Sequence, residues 1–175
     1  MTDTATTPEV RPATARAVVY PSRAVPSVPP FVFLAPQGWI VDEAPSALVV
    51  VRAPREVEGF WLNAILSHDR IAASAGLDDV AKAIWGRITR DSPGATAQME
   101  RTARLGSNIV HLRGIELTAP QSGRALAQLQ ALLLAPKVEG RKTGDLFQFV
   151  ITTPAELMPK LGPGFIEMIA SFRFV

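Results

Sequence analysis

From residue 31 onward, apolar and polar positions alternate in short blocks set apart by glycine and proline. Phe31-Val32-Phe33-Leu34 is a β-forming run. In Ala35-Pro36-Gln37-Gly38-Trp39, Pro36 and Gly38 predict a turn. Ala47–Arg52 is a continuous apolar, β-branched run of the kind a buried strand presents. Pro54 and Gly59 bracket a charged hairpin loop, Arg55-Glu56-Val57-Glu58, and Phe60–Ser67 predicts a further strand with Trp61, Asn63 and Ile65 on one face. The period then changes. Leu77, Val80, Ala81, Ile84, Trp85 and Ile88 fall on one stripe at 3.6 residues per turn, which predicts a helix from about Leu77 to Arg90. Asp78 and Asp79 suit its first turn, and Ser92-Pro93-Gly94 ends it.

Alternation returns in Ala95–Arg104 and Asn108–Thr118, with Gly106 between them as a hairpin turn. In the second run the apolar parity switches, from Val110 and Leu112 to Ile115 and Leu117, so a β-bulge is expected at Gly114. Gly123–Leu134 supports two readings. Its Ala, Leu and Gln content favours a helix, while the spacing of Ala125, Ala127, Leu129, Ala131 and Leu133 favours a strand. Asp145–Thr153 alternates Phe147, Phe149 and Ile151 as a strand would. A last helix is expected from Pro163, as a first-turn proline, through Phe165, Ile166, Ile169 and Phe172. Strands outnumber helices and hairpins join them. The fold class is α+β, a mostly antiparallel sheet with helices packed on it.

Residues 1–30 carry no period. Pro8, Pro12, Pro21, Pro26, Pro29 and Pro30 all lie there among Thr and Ala, a composition that buries too little apolar area to order itself. The chain therefore divides into an arm, 1–30, expected to be disordered, and a domain, 31–175. Val18, Val19 and Tyr20 interrupt the arm as consecutive β-formers, and Pro21 biases Tyr20 toward extended geometry. Such a triplet can add to an exposed sheet edge, and these three are the expected partner-binding residues.

A chain of 175 residues is long enough for one core without metal or disulfide staples. Net charge is only +2, and the densest basic stretch, Lys137, Arg141 and Lys142, is broken by Glu139. Nucleic-acid binding needs a clustered basic face and is not expected. The absence of cysteine removes disulfides, thiolate catalysis and a lipid-bearing cysteine. The first residues show no signal-peptide pattern, and no apolar stretch approaches the ~20 residues of a membrane span. A cytosolic protein without membrane insertion is expected.

The chemistry available is thin. His68 and His111 are the only imidazoles. His68-Asp69 falls at a strand's end; neighbours on a strand point to opposite faces, so the pair is not a dyad by itself, and a surface loop histidine is expected. His111 shares a face with Arg113 unless the bulge intervenes, and that face is expected to be solvated. Asp42-Glu43 and Asp78-Asp79 suit a turn and a helix start, and no set of ligands suggests a metal. Gly162-Pro163-Gly164 lacks the P-loop lysine, and no Gly-x-Ser-x-Gly elbow occurs. Neither a cofactor nor an enzymatic activity is expected. Of the tryptophans, Trp85 reads as core, Trp39 as core or turn anchor, and Trp61 as the one that could line a ligand groove.

The opening Phe31-x-Phe33-x-x-Pro36-x-Gly38-Trp39 resembles the start of the PsbP-like domains. So do Asn63 in a following strand, the amphipathic helix after it, Leu105-Gly106, Gln128 and Gln130, Thr152-Thr153 and the closing Ser171-Phe172-Arg173-Phe174. Within that superfamily the chain is similar to the actinobacterial LpqN/LpqT group, over roughly residues 31–175. The resemblance implies an α/β/α sandwich with a central antiparallel sheet, in which Gly123–Leu134 is a strand. Known relatives include envelope lipoproteins, a photosystem extrinsic subunit and Eag-type chaperones of secretion effectors, which share binding without turnover. It implies a non-catalytic protein-binding module: an adaptor, chaperone or assembly subunit. The alternative it implies is a carrier for a lipid or other apolar ligand, which would need an apolar cleft of roughly 300 Å³ or more.

Overall fold

A computed structural model of the chain describes residues 21, 22 and 26–175. The triplet Val18-Val19-Tyr20 lies outside the described residues. In chain order the elements are β1 (Phe31–Val32), β2 (Ile40–Asp42), β3 (Val49–Arg52), β4 (Asn63–Ala72), α1 (Leu77–Asp91), β5 (Thr96–Leu105), β6 (Asn108–Thr118), β7 (Ala125–Leu134), β8 (Thr143–Pro154), α2 (Met158–Ala170) and β9 (Arg173–Phe174). Strands β2 to β8 form one antiparallel sheet in the order β2-β3-β4-β8-β7-β6-β5. Helix α1 packs on β6 and β7 from one face, and α2 packs on β7 and β8 from the other. The short pair β1–β9 closes the α2 side. This is the expected α/β/α sandwich.

The ambiguous segment 123–134 is strand β7, in the middle of the sheet. Position overrides propensity here. Leu129, Ala131 and Leu133 join the large core under α2, while Leu132 joins the smaller core under α1 with Ala81, Ile84 and Leu146. A helix could not bury both sets between two paired neighbours. The large core is aromatic. Phe172 lies within 6.4 Å, ring to ring, of Phe31, Phe33, Phe147, Phe149 and Phe174. Trp39 closes the Pro36 turn through its N–H and packs edge-on against Phe165 of α2, 6.0 Å away. Val28 also packs on this core, and the Pro26 carbonyl accepts from Arg70.

Three expectations about elements need correction. Strand β4 runs on to Ala72, so His68 and Asp69 lie well inside it rather than at its end. The bulge is on β5, where Gln98 is the extra residue between the pairs Ala97–Ile115 and Met99–Gly114, while β6 pairs with β7 without a shift. The parity switch in β6 has another cause. Both faces of that strand are covered, so Val110 and Leu112 serve the α2 side while Ile115 serves the α1 side. Finally, α2 starts at Met158, not Pro163. Pro159 takes the tolerated first-turn position, and Pro163 sits inside the helix. There it lacks the N–H that would bond the carbonyl of Pro159.

Candidate functional site

Helix α1 packs over β6 and β7 and, through Ile71 and Leu146, over one end of β4 and β8; among the described residues nothing packs over β3 and the other end of β4 and β8 on this face. Register sets two rows of side chains across that open area. Val50, Ile65 and Val150 form one, and Arg52, Asn63 and Thr152 form the next. Trp61, just before β4, continues this face at 43% exposure, and Ile65 is 38% exposed. The Arg52 guanidinium lies 5.1 Å from the centre of the Trp61 ring and also pairs with Asp42 across the edge. Asn63 Nδ2 donates to the Trp61 carbonyl at 2.9 Å and so fixes the backbone that presents the indole. The result is a sheet surface with an exposed aromatic–guanidinium pair at its centre. Trp61 therefore stands on an open face and lines none of the clefts described below.

On the opposite face a cleft of about 410 Å³ runs between α2 and the outer strands. Met99, Gly114, Ala127 and Leu129 form the sheet side, and Met158 and Ile166 the helix side. Gly114 and Ala127 are small, which leaves the space open. A second cavity, about 340 Å³, lies where the β7–β8 loop meets the end of β4, among Ala72, Leu134, Pro136 and Arg141.

Beneath α1 lies a polar cluster. Arg113 is 1% exposed. Its Nη2 donates to Glu100 Oε1 at 2.7 Å, its Nη1 to Gln130 Oε1 at 3.0 Å, and both reach the Ala81 carbonyl at 3.3 Å. The Trp85 ring covers the guanidinium at 4.9 Å. Trp85 is thus half-buried as a roof over a cation, not the pure core residue expected from the stripe. His111 is 5% exposed, with Nε2 3.2 Å from Glu100 Oε1 and Nδ1 3.3 Å from Thr102 Oγ1. His111 and Arg113 share a face as expected, but it is a covered face, not a solvated one. The reason is that α1 presents the small Ala81 above them, so the helix approaches closely. His111 stands beside an acid yet lines no cleft, and Glu100 leans outward from the edge strand.

Burial, and after it the charge of Arg113, hold His111 below the usual imidazole range, while Glu100 and Asp78 pull the other way. An unfolded His111 takes up its proton near pH 6.5, where the folded one does not. Over that window the unfolded state binds more protons, so stability falls as pH drops below about 6.5. Glu100 is lowered chiefly by its Arg113 hydrogen bond, and it adds a second loss in the same direction at more acidic pH. Urea melts at pH 7 and pH 5 check this. Wild type should lose more stability than His111→Asn over that interval, and equal losses would refute the assignment.

His68 also departs from expectation. Its ring is nearly buried against Phe147, 5.2 Å away, with Nε2 3.0 Å from Asp145 Oδ1. Asp145, side chain 3% exposed, is further held by Arg70 at 3.7 Å and Arg141 at 3.1 Å. The neighbour Asp69 plays no part. The partner comes from β8, directly across the ladder from Arg70. Arg141, part of the densest basic stretch, is therefore committed inward. Each of these groups holds another.

No protein-family model matches the sequence, and no curated protein does. Solved structures do. LpqN of Mycobacterium tuberculosis, described as involved in cell envelope biogenesis, superposes with a TM-score of 0.69 at 12% identity, over 86% of each chain. Cyanobacterial PsbP from Synechocystis sp. PCC 6803 gives 0.59 at 18% identity, over 83% of this chain and 86% of its own. The fold is PsbP-like. The Saccharomyces cerevisiae Ran-binding protein Mog1p also matches, with a TM-score of 0.53 at 14% identity over 83% of this chain and 90% of its own.

Within the PsbP-like frame, the short motifs that carried the resemblance have physical work to do. Gln130 holds Arg113, Gln128 donates to Thr152 at 3.2 Å, and Ser171 Oγ accepts from the Leu34 N–H at 2.8 Å while donating to the Met168 carbonyl. They fasten the sandwich, and two of the motif residues, Asn63 and Thr152, also lie in a row of the open face. Among the described residues no three His, Asp or Glu side chains group to hold a metal ion, and no helix is long and apolar enough to cross a membrane.

Proposed function

We propose that the chain is a non-catalytic protein-binding module, an adaptor, chaperone or assembly subunit, whose docking surface is the open sheet face around Trp61. One observation carries the reading: the exposed Trp61 with Arg52 stacked on it, held by Asn63, on a face that α1 leaves uncovered. Trp and Arg are the residue types that most often anchor protein interfaces, and a sheet holds them rigidly. The Ran-binding Mog1p supports the general idea that this sandwich can present a surface to a protein. The inward commitment of His68, His111, Arg113 and Arg141 supports a role without turnover and without nucleic acid. The cytosol is the compartment proposed for it. Val18, Val19 and Tyr20 are proposed as a second, extended contact with the same partner.

Affinity capture from native lysate tests this with three forms: wild type, Trp61→Ala and a deletion of residues 1–26. A single stoichiometric protein is expected with wild type, its affinity falling at least about 30-fold for Trp61→Ala. The deletion should weaken it less. No stoichiometric protein, or one bound equally by Trp61→Ala, would overturn the reading.

The cleft under α2 favours a second reading, a carrier for a lipid or other apolar ligand. It exceeds the roughly 300 Å³ such a ligand needs, and its walls are largely apolar. A ligand mass retained by wild type in native mass spectrometry and lost in Ala127→Leu would support it.

A further inference from the structure

β5 is the outer strand of the large sheet, ten residues long, with both faces of its first seven residues exposed. The other edge strand, β2, has three residues. Among the described residues no strand pairs with its outer side, and an edge of this length is a template for another strand. Its geometry says which strand fits.

The β5–β6 hairpin turns through two residues, Gly106 and Ser107, and the flanking pair is Leu105–Asn108. In a two-residue hairpin the flanking pair exchanges both backbone bonds, and such pairs then recur at every second residue. Leu105, Ala103 and Arg101 therefore turn their backbone groups toward β6. Arg104, Thr102 and Glu100 turn theirs outward. An added antiparallel strand must match those three.

We infer that the partner is the β5 of a second copy, paired about a two-fold axis at Thr102. This register alone sets Glu100 of each chain opposite Arg104 of the other, twice. Centring on Glu100 would oppose two carboxylates and meet the bulge at Gln98, and centring on Arg101 would oppose two guanidinium groups at the closest approach. Centring on Arg104 repeats that repulsion. In the Thr102 register Met99 also faces Leu105 of the second copy. Glu100 uses only Oε1 for Arg113 and His111, which leaves Oε2 for the new cation, and Arg104 makes no ion pair within its own chain among the described residues. The three outward residues supply about six backbone hydrogen bonds across the dyad. Nor do the helices collide. With strands about 4.8 Å apart, the two α1 helices stand roughly 19 Å apart, beyond the 8–10 Å of packed helices. The dimer is a continuous fourteen-stranded sheet. This interface does not depend on the Trp61 surface, which lies toward the other edge.

Sedimentation equilibrium on the full chain tests the inference. The mass should rise with concentration from 18.8 kDa toward twice that value. Arg104→Glu, which opposes two carboxylates across the dyad and touches no internal contact, should weaken the dimer at least about tenfold. Trp61→Ala should leave it unchanged. Residue-resolved amide exchange supplies the register: Glu100, Thr102 and Arg104 should be protected in wild type and released in Arg104→Glu. A monomer at every concentration up to about 1 mM would overturn the proposal. So would a dimer indifferent to Arg104→Glu, or free exchange at Thr102 within a dimer.

Discussion

Glu100→Ala is expected to destabilise the protein by about 3 kcal/mol, although Glu100 is half-exposed on an edge strand. The loss falls on Arg113. Its guanidinium is 1% exposed, and among the described residues Glu100 is its single anionic partner. Removing the carboxylate leaves the buried Arg113 charge without an anion in low dielectric, which costs more than the pair contributes when intact. Gln130 and the Ala81 carbonyl would still accept from Arg113, but as neutral groups they cannot offset the charge. The double variant Glu100→Ala/Arg113→Met should recover most of the loss, because Met fills much of the same volume under Trp85 without a charge to satisfy. Thermal melts decide. At this chain length about 3 kcal/mol lowers Tm by roughly 6–12 °C. A drop under about 2 °C, or a double variant no better than the single, would show that water already serves Arg113.

Gly106→Ala should be comparably severe, also about 3 kcal/mol. Gly106 has φ +56°, where an L-residue is strained by about 1–2 kcal/mol. In addition, a Cβ at this position would fall 2.1 Å from the carbonyl oxygen of Ala170 at the end of α2. That neighbour is backbone and cannot rotate away, so the hairpin or the helix end must shift, which adds overpacking cost. The same region is clamped by Asn108, whose Nδ2 donates to the Phe172 carbonyl at 2.6 Å. Gly123→Ala, at φ +69° but with open space around it, is the control. It should cost about 1–2 kcal/mol, the backbone strain alone. Equal losses at the two positions would mean that the collision with Ala170 is relieved at no cost.

The comparison of these two glycines also shows what a sequence can and cannot reveal. The hairpin at Gly106 was readable from alternation on either side. The α2 carbonyl pressed against it was not, because that contact joins residues more than sixty positions apart. The α1 stripe was readable from its period, whereas the cation beneath Trp85 was hidden: His111-x-Arg113 on an alternating strand looks the same whether water or a helix lies above it. A usable signal was present in Ala81, the small residue on the stripe that lets α1 approach, together with Gln130 as a polar residue on a central strand. His68 departs from its sequence expectation for a simpler reason. The strand signal faded in the charged Ser67-His68-Asp69-Arg70, while the ladder with β8 carries the strand on to Ala72. For segment 123–134 composition favours a helix and alternation a strand; the PsbP-like resemblance implies the strand, and its place between β6 and β8 is the physical reason it forms. Trp61, Asn63 and Ile65 share one face, as their alternation predicts. That this face is open depends on where α1 lands, which no local pattern encodes.

A photo-crosslinking amino acid at position 61, compared with the same residue at position 82, exposed on α1 away from the open face, tests the docking surface most directly. Irradiated in native lysate, the position-61 protein should give one dominant adduct of defined mass, competed away by untagged wild type. The position-82 protein should give none of that mass. Equal adducts at both positions, or no competed adduct at position 61, would contradict the assignment of the Trp61 face as the surface through which this protein works.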